Sequence, residues 1–158
     1  MINEKGIIEQ YDLVIYPIEF VVVIGDMEEE VNKLYESAEE GYEGAYIAKP
    51  VNTGATYKVK EKETGVHCLM VWIKEKEQFV TSVVAHECGH AVLELWSAIG
   101  SEVSLTNQEP FCYTLGNLVR LAVGTFYQLP GIEPPTFRKD IKKTNIKKNG
   151  RKTKDSNP

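Results

Sequence analysis

Apolar and polar positions alternate along this chain in two different periods, and the change of period divides it into strands and helices. Residues 11–25, YDLVIYPIEFVVVIG, are rich in Val and Ile with Pro17 interrupting the run, which predicts one or two strands. Asp26 then stands at an N-cap position with Glu29 three residues on. MEEEVNKLYESAEE places Val31, Leu34, Tyr35 and Ala38 at helical spacing and stops at Gly41, predicting a helix over 27–40. Residues 45–74 read as an antiparallel meander. TYKVKEK alternates, with Lys58, Lys60 and Lys62 on one solvated face. Residues 63–65 turn, and VHCLMVWI is apolar enough to be covered on both sides. From residue 75 to 98 the period becomes 3.6, carried by Phe79, Val83, Val84, Ala91, Leu95 and Ala98, with Gly100 past the end. After a loop over 101–106, Asn107 caps a last helix that tolerates Pro110 in its first turn and ends near residues 129–131. The sequence predicts an α+β fold: a small antiparallel or mixed sheet packed on the 75–98 helix and its antiparallel successor.

Composition narrows the class. The 158 residues are 42% hydrophobic and 26% charged, ordinary for a single globular domain. No apolar run approaches the ~20 residues of a membrane span, and the N-terminus lacks the basic and apolar regions of a signal peptide. Three cysteines without an export signal point to reduced thiols and a cytoplasmic location. The net charge of -5 is unevenly placed: residues 1–137 hold 9 Lys/Arg against 21 Asp/Glu, while residues 138–158 hold 9 against 2. This divides the chain into a domain over 1–132 and a basic tail over 133–158, too poor in apolar residues to fold alone. The tail suits weak contact with nucleic acid or an acidic partner, or simple solvation.

The candidate chemistry lies in HECGH, inside the predicted long helix. His86 and His90, at i and i+4, share one helix face, so two imidazoles can bind one metal ion. Glu87 is rotated about 100° further on, flanking the ion as a general base rather than a ligand. Imidazole donors favour zinc among divalent ions. Cys88 points away from the pair, and it and Cys112 read as small buried hydrophobes.

VVAHECGHAV resembles the active-site helix of the zincin metallopeptidases, and specifically the gluzincin branch, where a Glu on the next helix is the third ligand. HECGHAVLELW carries no third His downstream, unlike the metzincin pattern. Candidates for the third ligand are Glu94, Glu102 and Glu109. Glu94 lies on the same helix, about 12 Å of rise from His86. Glu102 follows the helix end. Glu109 opens the next helix, and NQEPFCYTLGNLV resembles the Glu-bearing helix of the ImmA/IrrE family and of small phage-encoded metallopeptidases, so Glu109 is the assigned ligand.

The resemblance implies hydrolysis of a peptide bond in a protein or peptide substrate, with zinc as cofactor and Glu87 taking a proton from a water polarised by the ion. Tyr113, four residues past Glu109, is the expected oxyanion donor, with His67 as second choice. It also implies that substrate pairs in extended form with a sheet-edge strand beside the cleft, expected here at 66–74. Two other functions compete: a catalytically idle zincin-like module that binds a host or partner protein, and a nucleic-acid accessory protein acting through the tail.

Overall fold

Two apolar strands pair in parallel at the centre of the computed structural model, which describes residues 1–134. They are β3 (Glu19–Gly25) and β6 (His67–Ile73), and residues 20–24 and 69–73 are buried on both sides of the sheet. Strands covered on both faces need this near-continuous apolar composition. Around them lie β1 (Ile2–Asn3), β2 (Gly6–Tyr11), β4 (Tyr35–Ser37) and β5 (Gly54–Glu61), giving one six-stranded sheet in the order β1-β2-β3-β6-β5-β4. All other pairings are antiparallel. The α+β class and the mixed sheet agree with the sequence reading. The expectation that residues 66–74 form the sheet edge is corrected: β6 lies between β3 and β5, because an edge position would leave one flank of an apolar strand without backbone partners.

The β2–β3 hairpin also holds a close approach. Gly6 and Gly25 face each other, and a Cβ on Gly6 would lie 2.0 Å from the Ile24 carbonyl oxygen. Only glycine fits, and Gly25 adopts φ 105°.

Helix α1 (Glu28–Leu34) covers one face of the sheet. The expected Asp26 cap is replaced by Met27, and Asp26 instead pairs with Lys49 at 2.9 Å. The helix also ends earlier than the sequence pattern predicts. Residues 35–37 switch to strand β4 because Tyr35 is buried there, its hydroxyl donating to Gln10 Oε1 on β2, while its backbone pairs with β5. Asn32 ties the far loop to this helix by bonding both the N–H and the carbonyl of Ile47 at 2.8 Å.

Helices α2 (Thr81–Ala98) and α3 (Gln108–Phe126) cover the other face. Residues 75–80, expected as the first turns of α2, form a short 3-10 turn at Lys76–Gln78 and an extended lead-in. The two helices run antiparallel. Phe79, just before α2, stacks on Phe126 at 4.2 Å, and Trp96, near the end of α2, meets Phe111 edge-on at 5.9 Å. Val84, Cys88, Ala91 and Leu95 form the buried stripe of α2 against the sheet. Among the described residues no helix is long and apolar enough to cross a membrane. The basic tail falls outside the described residues from residue 135 onward.

Candidate metal centre

The buried stripe of α2 fixes where its polar residues point. At 100° per residue, Glu94 and Glu87 are displaced about 40° and 60° from His90 in one direction, and Trp96 about 120° in the other. Trp96 meets α3, so α3 lies on one flank of α2 and β5 on the other. His86 and His90 occupy the exposed face between Glu87 and solvent.

The two imidazoles converge. Their Nε2 atoms are 3.1 Å apart, with ring planes at 82°. Two nitrogens held about 2.0–2.1 Å from one tetrahedral ion lie about 3.3 Å apart, so the pair fits two corners of a zinc shell. The same distance suits a hydrogen bond between neutral rings of opposite tautomers.

Glu87 is 8% exposed, yet its carboxylate is not left without a partner. Thr56 Oγ1 on β5 lies 3.0 Å from Glu87 Oε2 and 2.9 Å from the Glu87 backbone carbonyl, and donates its single proton to one of them at a time. Gly54, two residues earlier on the same face of β5, leaves room for the glutamate: a Cβ there would stand 3.2 Å from Glu87 Cγ. Lys58, two residues later, bridges Glu94 at 3.4 Å and Glu39 at 3.3 Å. Lys58 keeps its side chain partly exposed, as expected for a solvated face, but the same face of β5 also meets α2 through Glu94.

Two cavities flank the pair. One of about 320 Å³ lies beside His90, bounded by Thr56, Lys58, Glu39 and Glu94. The other, about 340 Å³, lies beside His86, bounded by Asn52, Thr53, Gly54 and Ser82. Glu87 lines both. Burial, then the charges of Glu87 and Glu28, push the Tyr57 phenol up to about 12, so it stays protonated and donates to the Ala48 carbonyl at 2.9 Å. Burial and the Glu87 charge likewise push the Cys88 thiol up to about 12, in keeping with its expected place in the core.

Among the described residues, no strand pairs with the edge of β5 away from β6 beside this site. β4 pairs only with residues 59–61. The Lys58 N–H and C=O point away from β6, bonding Glu39 Oε1 and the Ala38 N–H. By the alternation of an antiparallel ladder, the N–H and C=O of Thr56 point the same way, beyond the end of β4.

Four candidate residues stand elsewhere. Among the described residues, no group of three or more His, Cys, Asp or Glu side chains is gathered to hold an ion. Glu109 lies two residues before Phe111 and so at the level of the last turn of α2; Trp96 alone is about 9 Å along the axis from His90. Glu109 is exposed there, on the helix flanking the opposite side of α2. The short connection stacks α3 directly beside the end of α2 and does not carry it back to the histidines. Tyr113 is 76% exposed and lines a small cavity with Leu13, Ile15 and Tyr16 of the β2–β3 loop, away from Glu87. His67 begins β6 and lies near Glu94 and Ala98, at the far end of α2 from His86. Glu102 lies in the loop after α2, its carbonyl accepting from Asn107 Nδ2.

No sequence motif marks Thr56, Gly54 or Glu39. The alternation of β5 carries Gly54, Thr56 and Lys58 on one face, but which helix residue meets that face is a property of packing. Comparison of the chain with protein-family models, with curated proteins and with solved structures found no match.

Proposed function

We propose that this protein is a zinc-dependent peptidase of the zincin type, with His86 and His90 as metal ligands and Glu87 as general base. The observation that carries the reading is the convergence of the two Nε2 atoms at 3.1 Å on a helix whose next residue is a buried, hydroxyl-held carboxylate. A bound zinc ion would supply Lewis acidity, polarising a substrate carbonyl and making water easier to deprotonate. When Thr56 donates to Glu87 Oε2, the other carboxylate oxygen is left to accept a proton from water and return it to the leaving amine. The cavities on either side of Glu87 give the two halves of an extended chain somewhere to lie. The edge of β5 at Thr56 offers an N–H and a carbonyl to the peptide backbone, so a substrate would add as a short strand alongside β5. Sequence-independent backbone bonds of this kind suit a peptide or an unfolded protein segment.

The decisive comparison is Glu87→Gln against the unaltered protein, each purified without added zinc. Both are expected to carry the same amount of metal, while only the unaltered protein cleaves a mixed library of internally quenched peptides. A module that binds its partner without hydrolysis could dispense with the carboxylate at residue 87. Equal peptide turnover, or none, in the two proteins would therefore overturn the peptidase reading.

A further inference from the structure

A helix carboxylate one residue past a metal-binding histidine does not by itself aim at the ion. Glu87 is about 100° round the helix from His86, leans toward β5, and has three rotatable side-chain torsions. Something outside α2 must choose its rotamer. Two features of β5 do so together. Gly54 provides a gap sized for Glu87 Cγ, since a Cβ there would stand 3.2 Å away. Thr56 then presents a hydroxyl 3.0 Å from Oε2. A β-branched residue on a strand has a stiff χ1, so this donor is held in place rather than free to follow the glutamate. With Oε2 tied, Oε1 is the oxygen left for the reacting water.

We propose that Thr56 is a positioning residue for Glu87: its side-chain hydroxyl holds the carboxylate in one orientation beside His86 and His90, while its backbone lies on the strand edge that receives the peptide. The same residue thus links substrate docking to orientation of the base. The catalytic part of this role rests on the reading of Glu87 as general base; the conformational part does not. The competing possibility is that the hydroxyl serves only the Glu87 backbone carbonyl, 2.9 Å away, and merely fastens helix to strand.

Thr56→Val removes the hydroxyl at nearly constant shape, and Thr56→Ser keeps it. The full chain, unaltered and with each substitution, would be compared first by nuclear magnetic resonance, reading the Glu87 side-chain couplings and the proximity of Glu87 Hγ to Gly54 Hα. A single rotamer is expected in the unaltered protein and in Thr56→Ser, and averaging over several in Thr56→Val. The quenched-peptide assay comes second: Thr56→Val is expected to lower kcat by about 10–100-fold with KM little changed, and Thr56→Ser to restore most of it. A Thr56→Val protein that melts lower but keeps Glu87 in one rotamer would overturn the proposal and leave a purely structural bond. A protein in which the rotamer averages as expected, but which hydrolyses nothing before or after substitution, would overturn the peptidase reading and leave the clamp standing.

Discussion

Trp96 meets Phe111 edge-on, with ring centroids 5.9 Å apart and planes at 73°. This contact pins the first turn of α3 to the last turn of α2 and so fixes the level of every residue on α3 relative to the histidines. Glu109 is held beyond Trp96, on the flank of α2 opposite β5. We therefore expect Glu109→Ala to leave the metal content of the purified protein unchanged, whereas His86→Ala and His90→Ala each abolish it. Elemental analysis of the three variants after identical purification checks this, and loss of metal from Glu109→Ala would show that α3 rearranges to bring its carboxylate to the pair.

Gly54→Ala is expected to be costly for a reason that has nothing to do with backbone strain. The added Cβ would lie 3.1 Å from Ile73 Cδ1, 3.2 Å from Glu87 Cγ and 3.3 Å from the Trp72 carbonyl oxygen. Overpacking of this kind costs about 1–3 kcal/mol. Urea denaturation should show that loss in the midpoint with an unchanged slope.

Trp72→Phe tests the central sheet. Trp72 is fully buried on β6, and its indole N–H donates to the Gly25 carbonyl at 3.0 Å, closing the end of β3. The substitution leaves a buried acceptor without its donor as well as a space beside Tyr57, whose ring centroid is 6.2 Å from that of the indole. A destabilisation of about 2–4 kcal/mol is expected by the same denaturation measurement.

The three cysteines should differ sharply in reactivity. Burial pushes the thiols of Cys68 and Cys88 up to about 12, so at pH 8 almost none of either is thiolate, the reactive form. Cys112, read from the sequence as a small buried hydrophobe, is instead exposed on α3, whose packed face is filled by Phe111, Leu115 and Leu118. Brief treatment of the folded protein with a maleimide at pH 8 should therefore add one label, mapped by peptide mass analysis to Cys112, and all three should react after unfolding. Labelling of Cys88 in the folded state would mean that α2 opens from the sheet.

Much of this protein is determined by its sequence alone, wherever the signal is local. The run 19–25 is a strand because β-branched residues fill it, α2 and α3 are helices because their apolar positions recur at 3.6, and HECGH puts two imidazoles side by side because i and i+4 are neighbours on any helix. The orientation of Cys88 toward the core follows from the same angle. What only the tertiary structure decided is everything that depends on a partner distant along the chain. Tyr35 continues an apolar helical pattern, yet it becomes strand because Gln10 and β5 receive it there. β6 lies inside the sheet because a second strand equally apolar on both faces, β3, was available to pair with it. Glu109 has the type and setting expected of a third ligand, but the packing of Phe111 on Trp96 sets its height. Thr56 and Gly54, which no short motif marks, meet Glu87 because α2 crosses that face of β5. Periodicity is written in adjacent residues, whereas register and flank are set by which surfaces bury best against one another, a comparison that exists only once the chain has folded.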